Sequence, residues 1–140
     1  MGLGDRMEEL GQTLGEREAE HSGALDAARE KAEGLHRAVC DAFGRFHQAA
    51  EKAGAPHLRI EVGPVRLDEK HVRSIEFDVA RGRYRSVITV KSRGEVTLVG
   101  PFRRGGNEGP CRTFAIDADA EIESALGEVL ERFLDEATTP

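Results

Sequence analysis

Tryptophan is absent from this 140-residue chain, tyrosine occurs once, cysteine twice and proline five times. Cys40 and Cys111 are too few and too far apart for a disulfide framework or a CxxC metal knuckle. Nowhere does an uncharged apolar run approach the ~20 residues that cross a bilayer, so no membrane partner is expected. No basic-led apolar segment opens the chain, which makes a cytoplasmic location the expectation. Six phenylalanines and one tyrosine give poor support for a surface that stacks single-stranded bases. Ser74, Ser86, Ser92 and Ser124 lack the strand-to-helix context of a hydrolase nucleophile. Neither cysteine has a sequence-evident histidine partner for nucleophilic attack. The expectation is a protein that is not an enzyme and carries no cofactor.

Charge is plentiful but unevenly spread. Residues 1–54 carry 7 basic and 11 acidic groups, residues 55–116 carry 12 and 7, and residues 117–140 carry 1 and 8, for a net charge of −6. A basic middle between acidic ends either binds an anionic partner or neutralises its own flanking helices, and one compact domain favours the second. A single core closes over a chain of this length.

Between Asp5 and Ala53 there is no proline, and Ala, Glu, Leu, Arg and Gln dominate, the residues that lose least rotamer freedom in a helix. Leu25, Ala28, Ala32, Leu35, Val39, Ala42, Phe46, Ala49 and Ala53 alternate spacings of three and four, a heptad-type seam that Phe43 widens. Leu3, Met7, Leu10 and Leu14 make a shorter seam of their own. Polar residues all round between Gly15 and Gly23 join the two seams through a stutter or a break. Gly54 suits a left-handed helix cap, and Pro56 cannot continue the helix.

The apolar period then changes to two. Leu58, Ile60 and Val62 alternate with charges, Gly63-Pro64 shifts the parity through a bulge or bend, and Val65 and Leu67 carry on out of step. Ile75, Phe77 and Val79 form the next face, followed by Tyr84, Ser86, Ile88 and Val90, then Val96, Leu98 and Phe102, then Phe114 and Ile116. A turn through Arg81 and Gly82 sets Val79 opposite Tyr84, Phe77 opposite Ser86 and Ile75 opposite Ile88. A three-residue turn ending in left-handed Gly94 sets Val90 opposite Val96 and Ile88 opposite Leu98. Gly105 to Pro110 reads as a hairpin loop, without the Gly-Lys-Ser/Thr ending or following helix of a phosphate cradle.

Asp117 or Asp119 is suited to cap the last helix. Its stripe of Ile122, Leu126, Val129, Leu130, Phe133 and Leu134 should cover the sheet, and the tail from Ala137 to Pro140 carries no pattern of its own. The fold class is therefore α+β: a long N-terminal helix, an antiparallel meander of four to five strands, and a C-terminal helix packed on it. Residues 1–24 form a helical extension. Residues 25–137 form one domain, with a helix over 25–53, the sheet over 57–116 and a helix over 118–136. The element order is similar to that of small nucleoid-associated proteins and of acidic secretion chaperones. The strand count departs from the first group and the lack of a middle helix from the second, so neither family is assigned.

Three residue sets are candidates for function. On the long helix, Glu33, His36, Cys40, His47 and Glu51 share one face, and His36 with Cys40 has the i, i+4 spacing that grips a metal; His36, Cys40 and His47 are the candidate ligands. Leu25, Leu35, Val39 and Phe46 are the candidate interface of a homodimer, since the heptad seam outruns what the terminal helix and one sheet face can cover; in the competing arrangement the helix folds back at Gly23, residues 25–53 pack on the sheet of their own chain, and only Leu3 to Leu14 are left for partners. Arg83, Arg85, Arg103 and Arg104 are the candidate contacts to a polyanion, with Asp78, Glu76 and Glu95 as competing ion-pair partners on the same face. The leading reading is a non-enzymatic homo-oligomeric protein-interaction or adaptor module whose further protein partner the sequence does not identify. The alternatives are nucleic-acid or polyanion binding through the arginines and a helix-borne metal site.

Overall fold

The computed structural model describes residues 1–68, 73–106 and 109–139. One helix, α1, runs unbroken over Leu3–Lys52, about 75 Å at 1.5 Å per residue. The break expected between Gly15 and Gly23 is absent, because glycine weakens a helix by only about 1 kcal/mol where proline would stop it. At its end Gly54 takes φ +92°. The Ala55 N–H donates to the Ala50 carbonyl at 2.8 Å and the Gly54 N–H to that of Glu51 at 3.0 Å, the paired bonds that close a helix on a left-handed glycine.

Six strand segments follow: β1 (Glu61–Val62), β2 (Arg66–Leu67), β3 (Ser74–Arg81), β4 (Tyr84–Lys91), β5 (Glu95–Arg103) and β6 (Cys111–Ala115). They form one antiparallel sheet in the order β1-β3-β4-β5-β6, with β2 also on β3. β1 and β2 are two halves of one edge, since Val62 faces Val79 whereas Arg66 faces Glu76, a slip of one residue across Gly63 to Val65. That slip is the parity change expected at Gly63-Pro64. Between β4 and β5 the pairs Val90–Val96 and Ile88–Leu98 are as expected, but a register shift between Arg85 and Val87 sets Phe102 opposite Arg85, on the face away from Val96 and Leu98 and not with them as its spacing predicts. Between β3 and β4 the register differs by two: Ile75 faces Val90, Phe77 faces Ile88 and Val79 faces Ser86. The chain turns through Gly82 and Arg83 alone, with φ +59° at Gly82, as a two-residue hairpin with glycine first requires. A shift of two leaves every side chain on its face, so the apolar face survives.

The last helix, α2, spans Asp119–Thr138. Neither Asp117 nor Asp119 caps it: the cap residue is Ala118, with no side-chain hydrogen bond, and Asp119 instead forms an ion pair with Lys31. The helix also reaches beyond the expected end, burying Ala137, whose carbonyl accepts a 2.6 Å hydrogen bond from Arg81. Pro140 and the loop residues Asn107 and Glu108 lie outside the described residues.

Both helices lie on the same sheet face, α1 over β3 and β4 and α2 over β4 and β5. Strand spacing explains why one helix does not suffice. Five strand positions at ~4.8 Å make a face more than 20 Å wide, and a helix covers roughly 10 Å of it. The core accordingly joins Ile75, Phe77, Val79, Ile88, Val90, Val96 and Leu98 to Val39 and Phe43 of α1 and to Ile122, Leu126, Val129 and Phe133 of α2. The opposite face carries no helix.

Candidate functional site

Leu25, Leu35, Val39 and Phe46, expected at a subunit interface, pack within their own chain. Val39 is fully buried, and Leu25, Leu35 and Phe46 pack half-buried against the same core. The expectation undercounted the width of the sheet, whose β3–β4 half has no cover other than this helix. Of the seam residues, Ala28 and Ala32 are buried against the core while Ala42 and Ala49 face solvent, and Phe43 takes the inward position.

The helix stripe of His36, Cys40 and His47 is also engaged internally. The His36 Nε2–H donates to the Gly63 carbonyl at 2.9 Å, and the ring meets Phe77 edge-on with centroids 5.0 Å apart. The His47 Nε2 accepts the Ile60 N–H at 2.9 Å. Burial, with the nearby Arg59 charge, holds His47 below its ordinary value of 6.5, which keeps this acceptor lone pair available near neutral pH. Each imidazole thus uses its outer nitrogen to fasten the backbone of residues 60–63 to α1. Cys40 Sγ lies 3.8 Å from the His36 ring nitrogens, and among the described residues no group of three His, Cys, Asp or Glu side chains is placed to hold a metal. His36 and His47 face the sheet from one side of α1, and their partners are backbone groups that the edge of the sheet brings up. Period and spacing do not announce such contacts.

The arginines divide between the two faces. Arg85, on the helix-free face, donates to Asp78 Oδ2 at 2.7 Å. Arg66 reaches Glu76 at 3.1 Å and Asp78 at 3.5 Å, so Asp78 is buried between two guanidinium groups. Asp78–Arg85 was the expected ion pair, reached diagonally because of the changed register. Arg103 pairs with Tyr84 across β4–β5 on the helix-covered side, and Arg83 sits in the β3–β4 turn, where its carbonyl accepts the Arg104 N–H at 2.6 Å. Arg83, Arg103 and Arg104 therefore gather at one end of the sheet without Arg85, and none of them has an ion pair among the described residues.

The N-terminal part of α1 is the remaining feature. Residues 1–20 are all exposed, and the 22 residues before Leu25 project about 33 Å beyond the docked segment. Leu3, Met7, Leu10 and Leu14 remain 48–73% exposed. Among the described residues no helix is long and apolar enough to cross a membrane. No protein-family model, curated protein or solved structure matches the chain.

Proposed function

We propose that the protein is a non-enzymatic, cytoplasmic, homo-oligomeric interaction module that assembles through the projecting part of α1. The observation that carries this reading is the placement of exposed apolar bulk. Of the six large apolar residues left exposed among the described residues, Met1, Leu3, Met7, Leu10 and Leu14 lie in the first 14 residues and Leu67 alone lies elsewhere. Leu3, Met7, Leu10 and Leu14 are spaced four, three, four, which reads the same in both directions. An antiparallel copy therefore sets Leu3 against Leu14 and Met7 against Leu10, the self-complementary pattern of a two-fold interface. Gly4 and Gly11 flank the stripe, and a side chain at either would meet nothing within 4 Å in this chain, which leaves room for close approach.

The interface is small, and its strength follows from that. Covering the exposed half of four such side chains in each of two copies contributes about 8 kcal/mol at ~1 kcal/mol each, before an association cost of about 4–15 kcal/mol. At the lowest cost about 4 kcal/mol remains, so pairing through this stripe belongs in the millimolar range or weaker. The same stripe is what a helical segment of a further protein partner would engage.

The test is sedimentation and circular dichroism on the full chain and two variants. Wild type should self-associate with rising concentration. Leu10→Glu should stay folded and monomeric, and Leu35→Glu should lose the fold, because Leu35 packs half-buried against the core. A wild-type chain that remains monomeric up to about 5 millimolar, or a Leu10→Glu variant that associates as wild type does, overturns the proposal.

A further inference from the structure

The projecting helix leaves the domain at the end where Lys31 meets Asp119; the opposite end of the sheet carries a feature of different chemistry. There Arg81 faces Tyr84 across β3–β4 and Tyr84 faces Arg103 across β4–β5, so two arginines flank one tyrosine in a row on the helix-covered side. The last turn of α2 closes this row at Ala137, and with Gly82 and Arg83 it bounds a recess of about 390 Å³. Arg104 is tied beside it by its backbone bond to Arg83.

Some of this charge has an internal use. α2 has no basic residue in its last turn, and Arg81 supplies one from the sheet by donating to the Ala137 carbonyl, the stabilising position for a cation at a helix C-terminus. Arg83, Arg103 and Arg104 have no such partner. On the other face, by contrast, Arg66 and Arg85 are drawn to carboxylates. Arg83 and Arg103, which line the recess, and Arg104 beside it thus form a local cluster of arginines with no ion pair among the described residues.

We propose that this recess binds a compact polyphosphate group, as carried by a phosphorylated small molecule. Guanidinium forks match tetrahedral oxyanions with paired hydrogen bonds, and Arg81 and Arg103 stand two strands apart, roughly 10 Å, a span that linked phosphates bridge better than one. A long polyanion fits poorly, because it would run from the recess along α2, where residues 117–140 carry 8 acidic groups against 1 basic. The site is independent of the self-association proposed above, since it uses neither the same residues nor the same end of the fold.

Tyr84 is the only tyrosine and there is no tryptophan, so intrinsic emission excited at 280 nm reports from the recess itself, at about the usual ultraviolet wavelength. Titration with inorganic tripolyphosphate at low salt should change that emission saturably, with matching heat by calorimetry, and added salt should weaken binding. Arg83→Gln with Arg103→Gln should cost about tenfold or more in affinity while leaving the circular dichroism spectrum and urea midpoint in place. Arg112→Gln, on β6 and paired with Glu128 at 2.7 Å, should bind as wild type. The proposal is overturned by an absence of both emission change and heat, by equal binding in the double variant, or by binding of a single-stranded oligonucleotide where tripolyphosphate does not bind.

Discussion

Phe77→Ala tests the assignment of the sheet's two faces at its most loaded point. Phe77 is fully buried, faces Ile88 at the centre of β3–β4, and holds the edge of the His36 ring whose Nε2–H fixes Gly63. Truncating a buried phenylalanine costs about 3–5 kcal/mol through lost transfer energy and the cavity left behind. The aromatic contact with His36 is worth about 0.5–1.5 kcal/mol of its own, which places the expected loss near the upper end. Domains of this size hold about 5–15 kcal/mol in total, so the midpoint of thermal unfolding should fall by roughly 10–20 °C. Urea unfolding followed by circular dichroism measures the loss, and the denaturant slope should stay constant if only stability has changed. Phe102→Ala is the internal control. Phe102 is half-buried and pairs with Arg85 on the helix-free face, where truncation should cost only about 1 kcal/mol. A Phe77→Ala loss below about 1.5 kcal/mol, or below that of Phe102→Ala, would refute the face assignment and with it the docking of both helices.

Three further outcomes follow from particular contacts. Leu35→Glu forces a carboxylate against the core beside Val39 and should unfold the chain, whereas Leu10→Glu should leave the far-ultraviolet spectrum and unfolding midpoint unchanged; equal stability of the two would contradict the docking of α1. His47 is depressed below 6.5 in the folded state, so the fold binds fewer protons than the unfolded chain as pH falls below that value. The stability His47 contributes is present above about pH 6.5 and is lost as pH drops through its folded pKa, where protonation also removes the acceptor for the Ile60 N–H. His47→Gln should flatten that part of the stability–pH profile, and a profile identical to wild type below pH ~6.5 would disprove the linkage. At Gly63 an added Cβ would collide with Asp78 Oδ1, so Gly63→Ala should cost about 1–3 kcal/mol by displacing the carboxylate from Arg66 and Arg85. Asp78→Ala should relieve much of that cost, and strict additivity in the double-mutant cycle would exclude the clash.

Much of the fold was legible in the sequence because the signals were redundant. In the strands, alternation fixed the faces up to Val99 but not at Phe102, and the parity change at Gly63-Pro64 located the slip in the edge. Turn chemistry at Gly94 set one register correctly, while the turn at Gly82 admitted two choices that differ by two residues and leave all faces alike. Periodicity is blind to that difference, because it records the face a side chain occupies and not its cross-strand neighbour. The candidate sites were less legible for the same reason. His36, Cys40 and His47 share a helix face, but the sequence does not say which backbone will arrive opposite them. Arg83, Arg85, Arg103 and Arg104 look like one set, and plain alternation from Val96 and Leu98 keeps Arg103 on the face of Arg85. The register shift between Arg85 and Val87, where Gly100 and Pro101 both oppose Ser86, inverts the parity of β5, sending Phe102 to the face of Arg85 and Arg103 to the other.

The long helix shows how a correct pattern can carry a wrong partner. At 100° per residue, Leu3, Met7, Leu10 and Leu14 fall within about 60° of arc, and Ala28, Ala32, Val39 and Phe43 fall in the same arc. The two seams are thus one face of a single straight helix, and the polar stretch between them interrupts the residues without rotating the stripe. Ala28, Ala32, Val39 and Phe43 are held against β3 and β4, which fixes the direction in which Leu3 to Leu14 point. The exposed stripe must therefore face the sheet side of the helix, over the space beyond the Ser92–Gly94 turn where the sheet has ended. A partner that covers the stripe has to enter that space, next to the turn and the start of α2. The domain itself then restricts the approach, and an antiparallel copy satisfies the restriction because its own domain lies past the far end of the shared segment. For the proposed self-association, a parallel copy would bring two domains to the same end, each under the other's helix, so a continuous α1 favours the antiparallel arrangement independently of the spacing of its apolar residues.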